Sequence, residues 1–349
     1  MSDDTAKKRT TLTIVMPVYG NRDLVAVMVD SILHNDYADY TLLLVDDGSD
    51  AETLTLLRRY ALDERVSLIR RQREPKGAPT CRNIGFDATD SEYVMFLDSD
   101  DYVTPQCLRT RVEMLAARPD LDFMVFPSAV YDGTTMCAEP LYEHYGYPIY
   151  DDDIAAFARR LLPFVTWNNI YRAAALRRHG IRWDEALLSL QDADYNIATL
   201  LSGMRYAYAD TTPCYGYRIC TPSSVSRAIV TQRHFESHLH AVRKMYCAIR
   251  SKYGKRYDGD LLYGLLRLYN SIVTGAGADR RLTEILTDGI RDIAPWHARL
   301  LSTITSASTL LEHIVGAKRA RQLPMLPFLL LHCHRKKSKT RKIAAMQRP

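Results

Sequence analysis

The stretch that decides the fold is LTIVMPVYGNRDLVAVMVDSILHNDYADYTLLLVDDGS, residues 12–49. It opens with an apolar strand at residues 12–16, which Pro17 is expected to stop. Apolar residues at helical spacing follow from Leu24 to Leu33, and a second apolar strand covers residues 42–45. A strand, a helix and a strand in this order predict a parallel βαβ unit.

The same alternation continues through the first half of the chain. Predicted helices cover residues 52–62, 77–88 and 108–117, and predicted strands cover residues 66–69, 93–97 and 123–126. Uniformly apolar strands fit a sheet that helices cover on both faces. The sequence therefore predicts an α/β domain, with a mixed, mainly parallel sheet flanked by helices, over residues 1–230.

The second half is predicted to be mostly helical. A tyrosine-rich loop is expected at residues 128–152. Helical patterns cover residues 154–162, 169–178 and 192–201, and strand patterns cover residues 205–209 and 214–219. Further helical patterns predict a helical C-terminal extension over residues 231–322, and an apolar-basic tail follows at residues 323–349.

The composition is that of an ordinary globular protein whose charge is unevenly placed. The 349 residues are 47% hydrophobic and carry a formal net charge of +5. Ten Lys or Arg and no acid follow Glu312, so residues 1–312 carry a net charge of about −5. Seven scattered cysteines without a Cys-x-x-Cys pair suggest reduced thiols. With no apolar leader or spanning segment visible, a cytoplasmic location is expected, and the acidic body argues against a nucleic-acid partner.

Three carboxylates, Asp98, Asp100 and Asp101, directly follow the predicted strand at residues 93–97. Like charges at the end of a buried strand are unfavourable unless a cation offsets them, and carboxylate oxygens suit Mg²⁺ or Mn²⁺. The alternative is a surface turn before a helix that Pro105 opens. The spacing alone decides nothing, because Asp-x-Asp occurs four more times in the chain. These copies begin at residues 120, 151, 192 and 258.

Four motifs in this order resemble those of the family 2 glycosyltransferases, which have the GT-A fold. The motifs are TIVMPVY (13–19), LVDDGS (44–49), CRNIG (81–85) and FLDSDD (96–101). The resemblance extends over the first 230 residues. It implies that a sugar moves, with inversion, from a nucleotide-diphosphate donor, usually UDP-linked, to an acceptor hydroxyl. The acceptor would be a glycan or a lipid-linked intermediate of a cell-surface polysaccharide or glycolipid.

The resemblance assigns donor-binding roles residue by residue. It places Pro17 and Tyr19 beside the nucleotide base and ribose. Asp47, with Asp46 adjacent, would accept a hydrogen bond from the uracil edge, and Arg82 would approach the diphosphate, which its fixed charge suits. The alternatives are a tight turn at the two aspartates and a solvated helix charge at Arg82.

The resemblance also divides the carboxylate cluster. Asp98 would reach the ribose and Asp100 would bind the divalent cation, with Asp98 and Asp101 as further candidate ligands. A cation on the diphosphate would offset the charge that builds on the leaving group. One departure lies before Arg82, where relatives carry Asn-x-Gly and this chain has Pro75-Lys76-Gly77.

An inverting transfer also needs a base to take the proton from the acceptor hydroxyl. The resemblance places this base at the start of a helix, where Gln191 stands in place of the usual Glu and Asp192 keeps the base position. Asp194 is the nearest rival. The alternative is that Asp192 only stabilises its helix through the helix dipole.

Two features outside these motifs have simpler interpretations. His234, His238 and His240 are expected to lie on a solvated helix face rather than to bind a metal. The tail joins apolar residues 323–331 to basic residues 335–342, which suits peripheral attachment to the anionic inner face of a membrane. A solubilising tail is the alternative.

Two other function classes stay open. A sugar nucleotidyltransferase would share the fold type and the metal carboxylates, but its first loop is Gly-rich, whereas residues 17–22 contain one glycine. A non-catalytic nucleotide-sugar-binding protein would keep the donor site and lose the base, and Gln191 beside Asp192 leaves that interpretation open.

Overall fold

The computed structural model describes residues 11–137, 139–219, 232–274, 280–315, 319–320 and 323–347. These residues form two compact units. The first holds residues 11–147, 164–186 and 198–219, and the second holds residues 148–163, 187–197 and those from 232 onward. Two segments that the sequence assigns to the first domain thus belong to the second unit. The domain boundary at residue 230 stays a prediction.

All strands of the described residues lie in the first unit. They are β1 (Leu12–Val18), β2 (Tyr40–Asp46), β3 (Val66–Arg70), β4 (Tyr93–Phe96), β5 (Tyr102–Val103), β6 (Phe123–Val125), β7 (Ser128–Tyr131), β8 (Met136–Cys137), β9 (Asn169–Arg172), β10 (Tyr206–Tyr208) and β11 (Tyr215–Arg218). The helices are α1 (Arg22–Leu33), α2 (Ala51–Tyr60), α3 (Ala78–Asp87), α4 (Cys107–Ala116), α5 (Asp153–Ala158), α6 (Ala173–Arg178), α7 (Gln191–Ser202), α8 (Gln232–Tyr253), α9 (Asp258–Thr274), α10 (Arg280–Gly289), α11 (Pro295–Val315) and α12 (Leu326–Met346).

A seven-stranded sheet forms the centre of the first unit, in the order β10-β6-β9-β4-β1-β2-β3. β9 runs antiparallel to both of its neighbours, and the other pairs are parallel. Apolar side chains of the inner strands, such as Ile14, Leu44 and Met95, are fully buried. The α/β class, the mixed, mainly parallel sheet and the helical C-terminal part are therefore confirmed.

The carboxyl ends of β2 and β4 lie on either side of the end of β1. Val18 is paired with Asp46, and the Asp47 N–H donates to the Val18 carbonyl at 2.8 Å. On the other side, the Leu97 N–H donates to the Val15 carbonyl at 3.1 Å. Parallel pairing thus brings the residues after all three strands to one edge of the sheet, where ligands of open α/β sheets bind.

Helix α3 approaches β1 closely because residue 85 is glycine. A Cβ atom at Gly85 would lie 2.3 Å from Cγ1 of Val15, so a larger side chain would push the helix away. The same helix carries Arg82 three residues earlier. The glycine of the CRNIG motif is therefore explained by packing, which positions the arginine over the sheet edge.

The largest local difference from prediction is at residues 169–178, where one helix was expected. The structure has β9 at Asn169–Arg172 and a shorter helix at Ala173–Arg178. Ile170 and Tyr171 are fully buried between β4 and β6. Apolar and aromatic residues suit an inner strand, so tertiary pairing overrides the local helical pattern.

Three further differences are smaller. β1 runs through Pro17 to Val18 rather than stopping at the proline. The expected loop at residues 128–152 contains β7 and β8. Helix α5 ends at Ala158, short of the predicted residue 162, because Arg160 and Leu162 have left-handed backbone angles.

The second unit is helical throughout its described residues. A Cβ at Gly264 of α9 would lie 2.2 Å from the Ala158 carbonyl of α5, so these two helices also meet at a glycine. The described residues of the tail form a 3-10 turn at Leu323–Met325 and then α12, whose Pro327 lies near the helix N-terminus, where proline is tolerated. None of the helices in the described ranges combines the length and apolar character that crossing a bilayer requires.

Candidate functional site

The two aspartates after β2 have different surroundings. Asp46 is fully buried and accepts hydrogen bonds from the Ser49 N–H at 2.9 Å and from Arg70 Nε at 3.3 Å. Asp47 accepts one from Arg71 Nε at 2.5 Å. Asp46 therefore shapes the turn, whereas Asp47 lies beside the Arg71 guanidinium at the carboxyl end of the sheet. Sequence reasoning missed Arg71, although a basic pair directly after a strand next to β2 was a usable signal.

Tyr19 presents its ring to solvent beside this turn. Its side chain is 59% exposed, and Lys76 Nζ lies 3.5 Å from the ring centroid. The neighbouring Gly20 N–H donates to Ser49 Oγ at 3.1 Å, which joins the loop after β1 to the loop after β2. Pro17, half-buried in β1, is paired with Val45. An exposed ring of this kind can stack on a nucleobase.

Arg82 is held between a carboxylate and an aromatic ring. Its Nη2 donates to Asp98 Oδ1 at 2.6 Å, and its guanidinium lies 4.3 Å from the Trp183 ring centroid. The arginine side chain is 7% exposed, against 31% for Asp98. Arg82 is therefore not a solvated helix charge. This contact joins α3 to the loop after β4.

Polar contacts within the first unit hold the segment that carries Trp183. Asn83 Nδ2 donates to the Trp183 carbonyl at 2.9 Å and to Glu185 Oε1 at 2.7 Å. Arg73 donates two hydrogen bonds to the Glu185 carboxylate, at 2.5 and 2.6 Å. The Arg73 guanidinium lowers the pKa of Glu185. These contacts hold the aromatic ring under Arg82.

Asp101 differs from the other carboxylates of its cluster. It is 1% exposed, and it accepts hydrogen bonds from the Tyr215 hydroxyl at 2.5 Å and the Arg218 N–H at 2.8 Å. Burial raises the pKa of Asp101, and the nearby Asp100 and Asp98 add to the effect. Asp101 therefore closes its loop against β11. The contact of Tyr215 with Asp101 was not predicted, because nothing in the local pattern links these two residues.

Asp98 and Asp100 are the members of the cluster that keep contact with solvent. Both are half-buried, and the Asp100 carbonyl accepts from Arg218 Nε at 2.9 Å. In the described part of the chain, no three His, Cys, Asp or Glu side chains converge as a ready-made metal site. Mg²⁺ commonly takes one or two carboxylates together with substrate phosphates. The oxygen donors at Asp98 and Asp100 fit a cation of that kind.

Trp167 and Tyr171 are core residues of the first unit. Trp167 is 3% exposed and stacks on Tyr215, with ring centroids 4.7 Å apart. Tyr171 is fully buried and contacts the rings of Phe96 and Phe123. Both aromatic rings therefore pack inside the first unit.

The candidate bases lie in the second unit, at the start of α7. Asp192 is half-buried, whereas Asp194 is 4% exposed and accepts a hydrogen bond from Lys244 Nζ at 2.8 Å. Gln191 Nε2 donates to the carbonyls of Leu187 and Leu188 at 3.2 and 3.1 Å. Gln191 thus braces the turn before α7.

The prediction of a solvated histidine face was wrong for His238. His240 is exposed, but His238 is 7% exposed, with its Nδ1 2.5 Å from Ser189 Oγ. Burial lowers the pKa of His238 to about 3, and the charge of Arg160 contributes. The imidazole is therefore neutral at physiological pH.

Several known proteins are similar to this chain. Residues 13–180 match the family model described as Glycosyl transferase family 2. EpsH of Bacillus subtilis (strain 168) is 23% identical over 239 residues, which are 65% of this chain and 66% of that protein. The poly(ribitol-phosphate) beta-N-acetylglucosaminyltransferase TarS of Staphylococcus aureus (strain Mu50) is 22% identical over 197 residues, 55% of this chain and 33% of TarS. The chain thus matches less than two thirds of the length of these relatives.

The crystal structure of S. aureus TarS 1-349 in complex with UDP-GlcNAc has a TM-score of 0.68 to this chain. The two are 16% identical, and the match covers 92% of each. This likeness confirms the predicted GT-A fold. Enzymes with this fold generally use a divalent cation. With the family model spanning all four predicted motifs, the predicted resemblance to glycosyl transferase family 2 is confirmed.

Proposed function

We propose that this protein transfers a sugar, with inversion, from a UDP-sugar to a hydroxyl of a cell-surface polysaccharide or glycolipid precursor. The observation that carries the proposal is the contact between Arg82 and Asp98 at 2.6 Å, with the Arg82 guanidinium over Trp183. A nearly buried arginine on α3 and a partly exposed carboxylate after β4 suit an anionic nucleotide and its cation.

The donor roles follow the family resemblance and are supported by the contacts of the first unit. Tyr19 would stack beside the base, with Pro17 next to it. Asp47 would accept from the uracil edge, with Asp46 shaping its turn through the Ser49 N–H. Arg82 would offset the charge of the diphosphate, and Asp98 would reach the ribose.

We assign the divalent cation, Mn²⁺ or Mg²⁺, to Asp100 and Asp98. Their half-buried side chains support this choice. Asp101 remains a candidate ligand, but both of its oxygens already accept hydrogen bonds, which favours a supporting role. When bound, the cation would supply positive charge against the developing charge of the nucleoside diphosphate.

Asp192 is our candidate for the base that takes the acceptor proton. Its partial exposure supports this choice over Asp194, which is buried and paired with Lys244. Its place in the first turn of α7 also suits a negative charge, which the helix dipole favours there. Gln191 has a different role, because it braces the preceding turn.

TarS supports the choice of donor and acceptor class. Its name gives a poly(ribitol-phosphate) acceptor and its crystal structure contains UDP-GlcNAc. By analogy, a UDP-sugar donor and a cell-wall or capsular polymer acceptor are the first substrates to test. The sugar that this chain prefers is part of the same test.

Peripheral attachment to the anionic inner face of a membrane is a further part of the proposal. In α12, Leu326, Leu330 and Leu331 are 48%, 64% and 43% exposed. The basic residues from Arg335 to Lys342 follow on the same helix. Apolar and basic side chains together favour an anionic lipid surface. Less sedimentation of a Leu330→Asn/Leu331→Asn variant with anionic vesicles is expected, and equal sedimentation would contradict attachment.

The decisive experiment is a donor screen in the presence of Mn²⁺, with release of nucleoside diphosphate as the signal. The expected result is turnover of at least one UDP-sugar, which Asp192→Asn lowers by about 100-fold or more. Unchanged turnover in this variant would remove Asp192 as the base. Donor binding without turnover would favour the non-catalytic interpretation, and release of pyrophosphate with a nucleoside triphosphate would favour a nucleotidyltransferase.

A further inference from the structure

Asp194, the second carboxylate of α7, is almost completely removed from water. Its side chain is 3% exposed, and Lys244 Nζ approaches its Oδ2 at 2.8 Å. A buried carboxylate needs a cation or strong hydrogen bonds to remain ionised. The lysine side chain is 42% exposed, so its stem reaches inward from the surface. Asp194 is therefore held in place by α8.

The same helix holds the segment that leads into α7. Ser237 Oγ accepts a hydrogen bond from the Leu188 N–H at 2.8 Å, and His238 Nδ1 lies 2.5 Å from Ser189 Oγ. Ser237 and Lys244 are seven residues apart, which is two helical turns and places both on one face. Helix α8 thus contacts the segment on both sides of Asp192.

The segment between these contacts has an unusual backbone. Leu190 adopts a left-handed conformation, with φ of 59°, although it is not glycine. Gln191 Nε2 donates to the Leu187 and Leu188 carbonyls, and the Asp194 N–H donates to the Leu190 carbonyl at 3.0 Å. Such a conformation persists only where the surrounding contacts enforce it. The direction of the Asp192 side chain therefore depends on these contacts.

We propose that Lys244 is a positioning residue of the transfer reaction. Its ion pair with Asp194 fixes the first turn of α7 and so orients Asp192 toward the acceptor hydroxyl. Asp194 accordingly has a structural role, which separates it from the base. This inference rests on the proposed function, in which Asp192 is the base.

The test compares Lys244→Met with a matched ion-pair variant on the same helix. Arg243 donates two hydrogen bonds to Asp292, each at 2.6 Å, and the Asp292 side chain is 63% exposed, against 3% for Asp194. In the full-length enzyme, Lys244→Met should lower kcat by about 100-fold, because small misplacements of a catalytic group have effects of this size. The KM for the UDP-sugar should stay within about twofold, since donor contacts are unchanged. Arg243→Met should keep the kcat of the wild type.

Rescue by the conservative variant separates positioning from general damage. Lys244→Arg keeps the charge and should restore kcat to within about tenfold of the wild type. Asp194→Asn should lower kcat like Lys244→Met, and combining the two changes should add little, since both break one pair. If Lys244→Met does not fold, Lys244→Arg and Asp194→Asn carry the comparison.

Two outcomes would overturn the inference. One is a kcat for Lys244→Met or Asp194→Asn equal to that of Arg243→Met. The other is a loss that appears only in the donor KM. Failure of the proposed function is distinguishable, because then the wild-type protein shows no transfer or Asp192→Asn keeps full activity.

Discussion

Replacing His238 by glutamine should remove one cause of the fall in the free energy of unfolding at acidic pH. The His238 imidazole is 7% exposed in α8 and lies beside Ser189. Burial, with a contribution from Arg160, lowers its pKa from 6.5 to about 3. In the unfolded chain His238 binds a proton as the pH falls below 6.5, whereas in the folded chain it stays neutral until the pH approaches 3. His238 therefore favours folding above pH 6.5, and this stability is lost as the pH falls toward 3.

The size of the effect follows from the two pKa values. Between pH 7 and pH 5 the unfolded state takes up about 0.7 of a proton at this site, and integration over this range lowers the free energy of unfolding by about 2 kcal/mol. The result changes little if the folded pKa of His238 is 4 rather than 3, because both values lie below pH 5. In His238→Gln this component should be absent.

The measurement is urea unfolding at pH 7 and pH 5, followed by far-UV circular dichroism. Burial also lowers the pKa values of His297 and His332. Because these contribute equally to both proteins, the difference between wild type and variant isolates His238. Replacing the exposed His240 by glutamine is the matched control and should keep the wild-type dependence on pH. An equal loss of stability in wild type and His238→Gln would refute the reasoning.

Three further substitutions test packing and charge. Gly85→Ala should lower the free energy of unfolding, measured by urea titration, by about 1–3 kcal/mol, because its Cβ would overlap Val15. Gly259→Ala is the control: no atom lies within 4 Å of the added Cβ, so this change should be neutral or stabilising. Arg160→Met should raise the free energy of unfolding by about 1 kcal/mol. The Nε of Arg160 is buried and donates to no described residue, and burial lowers the pKa of the guanidinium to about 9, which shows that its charge is poorly compensated. An unchanged or lower urea midpoint for Arg160→Met would contradict this expectation. Asp98→Asn should raise the donor KM about tenfold by removing the carboxylate assigned to the ribose and the cation, and an unchanged KM would remove Asp98 from the donor site.

The candidate site residues that the sequence predicts to lie near one another share one property. The strands before Tyr19, Asp47 and Asp98 are continuous apolar runs, so each strand and the polar residues at its end are visible in a short window. Parallel order then requires these ends to meet at one edge. The helix at residues 169–178 was mispredicted for the opposite reason. Its first residues fill a space between β4 and β6, and that space is defined by residues far away in the chain.

The partners of the site residues were harder to predict. Arg71, Trp183 and Tyr215 are 24, 101 and 114 residues from the aspartates or the arginine that they contact. No local periodicity carries such information. The burial of His238 was missed similarly, because the segment at Ser189 that covers it lies outside its helix. Long-range pairing of polar groups is therefore where a single sequence says least.

The hydrogen bonds to Asp101 have a consequence for folding during synthesis and for the choice of protein fragments. The family model ends at residue 180, but Tyr215 and Arg218, which hold the carboxylate loop, come later in the chain. During synthesis the loop at residues 98–101 cannot reach its final form until β11 has left the ribosome. A fragment trimmed at the end of the family match would keep every motif and still lack the strand that shapes the last of them.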